Sequence, residues 1–354
     1  MAVKVFVDQL ILTGLALPPG YVGGTVFDYV YNAHKDYEYT VLVRDEARAQ
    51  LVKAKYPTVE FAYGALEDTN VIEKAAAEAD IVIHTADSSD HAISARAIAK
   101  GLKEGHTAEK PGYWLHLSGT AILTWYDHVN NRAGEGPHPE YIYNDLDGVD
   151  RMLNFPDDGL HRDVDKIIQG AASDAVKTTI ICPPLIYGKG SGVGNQTSVQ
   201  LPYLIEAGLS DGYVPVVKPG KTEWDHVDVH SLADLYVKLV DATQDPSKNS
   251  NPEIFGIRGF FFAASGTHSY LQLAEKVAAE IKKQGYSNKV TVKQYSLAEL
   301  RELKGDNLVI STYAYSSRGD AQRAKKYLGW EPKGMSLAEG VTETVEILAK
   351  AKGL

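Results

Sequence analysis

The chain has 354 residues, enough for one large domain or two unequal ones with an ample core. Hydrophobic residues make up 44% and charged residues 23%, as in an ordinary globular protein, and a net charge of -10 with no basic run excludes binding to a nucleic-acid backbone. A single cysteine, Cys182, excludes an internal disulfide and suits a reducing, cytoplasmic compartment, while no apolar run is long enough for a signal peptide or a membrane span.

In chain order, short apolar runs alternate with helical patterns. The first strand is either VKVFV (3–7) or LILT (10–13). Further strands are expected at YTVLVR, VEFAYG, DIVIHTA, YWLHLSG and TTIICPP, with helices over about 23–33, 46–55, 71–79 and 94–104. Strands alternating with helices imply right-handed crossovers, hence an α/β fold of Rossmann type, a doubly wound parallel sheet with helices on both faces. From Gly188 onward glycine- and proline-rich pieces such as GKGSGVGNQ, VVKPGKTEW and DPSKNSNPE separate the helices. We therefore expect 1–187, joined by 222–262, to form a nucleotide-binding domain, and 188–221 with 263–354 to form a smaller lobe that binds a small-molecule substrate.

LTGLALPPGYVGG (12–24) follows the first apolar runs and opens the first helix. Gly14, Gly20 and Gly23 suit a loop whose backbone amides meet a pyrophosphate, with Tyr21 and Val22 between the last two. Five residues separate Gly14 from Gly20, and Pro18 and Pro19 among them have no N–H to contribute, so cofactor binding is expected to be weakened rather than lost. If VKVFV is the strand, 8–19 is an insertion; if LILT is, the loop itself is lengthened. Arg44 ends the second strand, where an acidic residue would meet a ribose diol and a cation would pair with a 2′-phosphate. A guanidinium there favours NADP(H), and neighbouring Asp45 leaves room for NAD(H).

These segments resemble the short-chain dehydrogenase/reductase family, in its extended or atypical branch of epimerases, dehydratases and NmrA-like proteins, with a fungal cast. The glycine stretch is similar to T-G-x-x-G-x-x-G, YGALED to the adenine-side G-D-L-x-D, and DIVIHTAD to the fourth strand. CPPLIYGKGSG is similar to R-P-x-x-V-Y-G-x-G, DVHSLADLY to H-V-D-D-L-A-x-L, and the ending resembles the LGW-P pattern. The resemblance implies cofactor contacts from Leu66, Thr85, Ala86, Pro183 and Leu185. Ala65 stands where the family often has an aspartate, so no carboxylate is available there for the adenine amino group. The resemblance also implies a hydroxyl at Ser118 or Thr120 and a lysine at Lys166 in HRDVDKIIQGAAS. The tyrosine four residues before that lysine has no counterpart, because Arg162 stands there. Such a tyrosine donates the proton an alkoxide needs, and the lysine lowers its pKa. Tyr143, Tyr141, His161 and Tyr187 are the substitutes at hand.

On α-helical spacing Val164, Ile167, Ile168 and Ala171 form a buried stripe, with Arg162, Lys166 and Gln169 on the opposite face. His226, Asp228 and His230 alternate in WDHVDVH, but a helix start capped by Ser231 with Asp234 explains them better than a metal, and no metal site is expected. The expected function is an NADP(H)-dependent oxidoreductase, of carbonyl reductase or alcohol dehydrogenase type. The alternatives are an inactive NAD(P)-binding regulator of NmrA-like type and a non-redox isomerase or cyclase on the same fold. A homodimer is compatible with the sequence.

Overall fold

The computed structural model describes residues 2–8 and 20–354. The first half runs β1 (Lys4–Asp8), α1 (Tyr21–Ala33), β2 (Glu38–Val43), α2 (Glu46–Lys55), β3 (Glu60–Tyr63), α3 (Thr69–Glu78), β4 (Ile81–His84), α4 (Ala92–Gly105) and β5 (Gly112–Leu117). VKVFV is thus a strand, paired in parallel with β2 and β4, while LILT and Gly14 lie outside the described residues. A connection then carries α5 (Trp125–Val129), β6 (Ile142–Asn144), α6 (Val149–Leu153) and α7 (Arg162–Ala171) before β7 (Val176–Cys182).

Next come β8 (Leu185–Tyr187), α8 (Gln200–Asp211), β9 (Tyr213–Val217), β10 (Glu223–Asp228), α9 (Val229–Gln244) and β11 (Phe260–Phe262). The central sheet has the order β3-β2-β1-β4-β5-β7-β11, and every neighbouring pair in it is parallel. The order reverses between β1 and β4, the switch point beyond whose carboxyl strand ends open sheets of this kind bind ligands. The inner strands are covered on both faces and largely apolar; β4 and β5 have no exposed residue. One face packs on α1, α2 and α9 through Phe27, Val52 and Leu235; the other packs on α3, α4 and α7 through Ile72, Ile98 and Val164. Glycine lets α3 and α4 touch: a Cβ on Gly101 would lie 2.2 Å from the Glu73 carbonyl oxygen.

The remaining elements are β12 (Gly266–Ser269), α10 (Tyr270–Lys283), β13 (Thr291–Tyr295), α11 (Leu297–Lys304), α12 (Leu308–Ala314), β14 (Arg318–Asp320), α13 (Arg323–Leu328) and α14 (Leu337–Ala351). A separate core joins α8, β9, α10, α12 and α14 around Leu204, Val216, Leu273, Tyr313 and Val345. Ala324, Leu328 and Trp330 pack instead with the sheet-side core, so the chain crosses back after β14. The helix after β10 starts earlier than expected. Asp228, not Ser231, is its cap, accepting bonds from the amides of His230 and Ser231, because it is the last extended residue before the turn. Among the described residues no helix is long and apolar enough to cross a membrane.

Asp145, buried after β6, binds both halves of this seam. It accepts hydrogen bonds from the amides of Phe262 at 2.9 Å, Gln322 at 2.7 Å and Arg323 at 3.0 Å. Asp145→Ala strands the buried amides of Phe262 and Arg323 and the partly buried one of Gln322, and is expected to cost about 2 kcal/mol or more in chemical denaturation. Burial raises the Asp145 pKa to about 6 against the pull of those three amides. The folded state therefore holds this proton more tightly than the unfolded chain, so the contribution to stability declines as pH rises from about 4 to about 6. The alanine variant is expected to lose that slope.

Candidate active site at the strand ends

Parallel neighbours in register put paired side chains on one face of a sheet. Asp8 of β1 pairs with His84 of β4, and His84 with His116 of β5, so the three form a row across the switch point. Helix α7 covers that face and adds Asp165. Asp8 Oδ2 is 3.3 Å from His84 Nε2, the Nδ1 atoms of His84 and His116 are 2.9 Å apart, and His116 Nε2 is 3.6 Å from Asp165 Oδ1. None of the four is more than 1% exposed. Burial raises the Asp8 carboxyl well above the usual range and lowers both imidazoles, so the histidines are neutral. Two neutral rings meeting through Nδ1 atoms need opposite tautomers, since one donates and the other accepts.

Helix α7 begins beside the end of β5. His161 caps it in a left-handed conformation, φ 66°, uncommon for a residue with a side chain. Its Nδ1 meets Asp90 Oδ1 of the β4–α4 loop at 2.8 Å. Its Nε2 lies against Gly119, where a Cβ would approach it to 3.3 Å. Gly119 stands between Ser118 and Thr120, whose hydroxyls are buried without hydrogen-bond partners among the described residues. Their amides are committed, Ser118 to the Ile181 carbonyl and Thr120 to that of Pro183. Asp165, one turn after His161, has both carboxylate oxygens buried and without hydrogen-bond partners among the described residues. Burial alone would lower the His161 pKa, but the bond to Asp90 and the surrounding carboxylates raise it above 6.5. An imidazole held by a carboxylate beside two free hydroxyls is equipped to donate and accept a proton.

Several expected site residues lie elsewhere. Lys166 points outward, its side chain 47% exposed and paired with Asp157 at 2.8 Å. Arg162 is buried and bonds Gln169 Oε1 and the Leu153 carbonyl, clamping α7 to the end of α6. Helical residues advance by about 100° each, so a one-position shift moves the site-facing pair from Arg162 and Lys166 to His161 and Asp165. Tyr143 sits in the core against Phe155 under the Arg151 guanidinium, and burial raises its pKa to about 12. Tyr141 stacks on Tyr126, and the Tyr187 hydroxyl bonds the Met335 carbonyl. His226 meets His268, and His230 bonds the Lys189 carbonyl, so that alternating trio is dispersed.

At the nucleotide end, Gly20 precedes α1 and no described side chain caps the helix, whose first turn (Tyr21, Val22, Gly23) holds no acid. Tyr21 turns away to bond the Gly188 carbonyl at 2.6 Å, and the 188–192 loop comes close enough for Gly192 to touch Gly24. Arg44 has no ion pair among the described residues and a buried Nε without a partner, whereas Asp45 is spent capping α2 through the Arg48 amide. Thr85 and Ala86 donate their amides to Asp8 Oδ1. Leu66 and Leu185 are buried in the cores, and the Pro183 carbonyl holds Thr120. Sequence reasoning missed Asp8, His84, His116, Asp90 and Asp165. The i, i+4 spacing of His161 and Asp165 was the available signal for the last.

In an NMR pH titration the His161 ring is expected to titrate above pH 6.5, and Asp90→Asn to lower that value. With the folded pKa raised, the His161–Asp90 contribution to stability is present below about pH 6.5 and is lost as pH rises through the raised value.

No family model matches the chain. It is 30% identical over 346 residues, 95% of this chain and 97% of its relative, to the oxidase ucsJ of Acremonium sp. A dTDP-glucose 4,6-dehydratase from Streptomyces venezuelae, DesIV, solved with NAD, superposes with a TM-score of 0.65 at 13% identity, covering 99% of this chain and 98% of that one. UDP-glucose 4-epimerase from Thermotoga maritima gives 0.61 at 17% identity over 99% of both chains. The chain belongs to one family with the fungal oxidase ucsJ, on the fold of the extended short-chain dehydrogenase/reductases.

Proposed function

We propose that the protein is an NADP(H)-dependent oxidoreductase that interconverts an alcohol and a carbonyl on a small molecule, with His161 as its acid and base. The observation that carries this reading is the Asp90–His161 contact of 2.8 Å, which aims Nε2 at the Ser118–Thr120 corner. A bound nicotinamide cofactor supplies or accepts the hydride. In the reducing direction His161 gives its Nε2 proton to the substrate oxygen, and Ser118 and Thr120 hold that oxygen through their hydroxyls. In the oxidising direction the neutral ring takes the hydroxyl proton. The α1 terminus suits a pyrophosphate and the Arg44 guanidinium a 2′-phosphate.

The loss of a tyrosine and of a site-facing lysine is chemically coherent on this reading. A tyrosine with a pKa near 10 needs a cation to act near neutral pH; an imidazole does not. The relationship to an oxidase and a fold shared with a dehydratase solved with NAD both support nicotinamide redox chemistry.

His161→Ala is expected to lower kcat about 10² to 10⁴-fold with NADPH affinity kept, and Lys166→Ala to leave both unchanged. Arg44→Asp is expected to shift preference from NADPH to NADH, read by fluorescence titration. NADPH binding with no oxidation across a broad carbonyl panel would overturn the enzymatic reading in favour of a nucleotide-binding regulator.

A further inference from the structure

Beside the His161 corner a cavity of about 150 Å³ opens between the sheet-bearing half and α12. Its walls are Ala121, Trp125 and Leu160 on one side and Leu308, Thr312 and Tyr315 on the other. Ala121 follows Thr120 and Leu160 precedes His161, so the two segments that form this wall run directly into the residues assigned to the chemistry.

The chemistry of the lining decides what that group is. The Thr124 hydroxyl donates to the Ala121 carbonyl at 2.7 Å and that of Thr312 to the Val309 carbonyl at 2.6 Å. Asp158 accepts from the Trp125 indole at 2.8 Å, and the His128 ring sits edge-on to Tyr315 at 5.4 Å. The Thr124, Thr312 and Trp125 donors are engaged within the protein, so Ser311, His128 and Asp158 give the cavity a polar margin and methyl groups and ring faces make up the rest of its wall. No lysine or arginine is among the described residues that line it, so nothing there compensates a phosphate. Leu160 and Leu308 meet at this cavity although they are 42% and 50% exposed, an apolar surface shared by two halves of the chain. A cavity of about 150 Å³ with apolar walls has the size of one six-membered ring. A larger cavity, about 780 Å³, lies along β1, β2 and β3 among lysines and glutamates, at the far edge from His161.

We infer that the substrate is an uncharged ring ketone or its secondary alcohol, with a hydrocarbon ring held between Trp125 and Leu308, and not a nucleotide sugar. This inference rests on the redox reading of the His161 corner for its reacting group, but its binding arm needs no turnover. Bound NADPH would supply the hydride for the new C–H bond at the carbonyl carbon and be released as NADP⁺, while His161 supplies the proton that completes the O–H bond and regains one from solvent.

The test uses acetophenone and cyclohexanone against UDP-glucose and dihydroxyacetone phosphate. In the full-length protein, acetophenone is expected to quench Trp125 fluorescence without nucleotide, a signal that Trp125→Phe removes. Leu308→Trp fills the cavity and is expected to weaken that binding at least tenfold with NADPH affinity unchanged. Leu160→Asp, which puts a charge at the mouth, repeats the test should the first variant not fold. NADPH oxidation is expected with the two ring ketones and not with the phosphorylated compounds. Ring-ketone binding that both variants abolish, without turnover of any compound, upholds the pocket and sinks only the redox reading. Turnover of a phosphorylated compound unaffected by Leu308→Trp overturns the pocket, as does failure of acetophenone to quench.

Discussion

One hydrogen bond orders the candidate site, that between His161 at the head of α7 and Asp90 in the loop after β4. It joins two segments far apart in sequence and holds the ring in an otherwise unfavourable left-handed backbone. It also moves the proton affinity of the ring. Burial by itself would lower the His161 pKa, and the bond to the carboxylate raises it. A lysine at the next turn would repel the imidazolium, whereas Asp165 there attracts it. Gly119 completes the arrangement, since a side chain at that position would press on Nε2.

Behind this corner the row of Asp8, His84, His116 and Asp165 places four titratable groups where no water reaches. Isolated charges there would be very costly, and neutralisation is the cheaper state for the histidines and Asp8. Order then comes from direction rather than charge. With opposite tautomers the Nδ1 proton of one ring lies between the two, and each outer Nε2 faces a carboxyl group. Asp8 Oδ1 meanwhile takes two amides from the end of β4, so the strand leading into the glycine-rich segment is tied to its neighbour across the switch point.

Buried polar groups fasten the 318–323 segment to the strand and loop at 225–258. Asp225 receives the Gly319 amide and the Arg318 guanidinium, while fully buried Arg323 reaches the Glu253 and Arg258 carbonyls. Such groups stabilise little beyond their own desolvation, but they allow only one arrangement in which every partner is met. That arrangement brings α12 over the His161 corner and forms the apolar cavity.

Local pattern alone settled the α/β architecture, because the switch between strand-length apolar runs and helical periodicity needs no distant contact. The runs at β2, β3, β4, β5 and β7 and the helix over 46–55 lie where the pattern put them. Arg44 at the end of β2 was legible for the same reason. The site was not. Reading Lys166 as the inward residue assumed the family spacing, and the rotation of α7 depends on what it packs against; the structure buries Val164, Asp165 and Ile168 and turns Lys166 to water. Asp8, His84 and His116 come together only because three parallel strands share one register. Sequence by itself determined which elements form, since that follows from the spacing of apolar side chains along one segment. Only tertiary structure decided which polar side chains meet, since that depends on strand order, register and helix rotation between segments tens of residues apart.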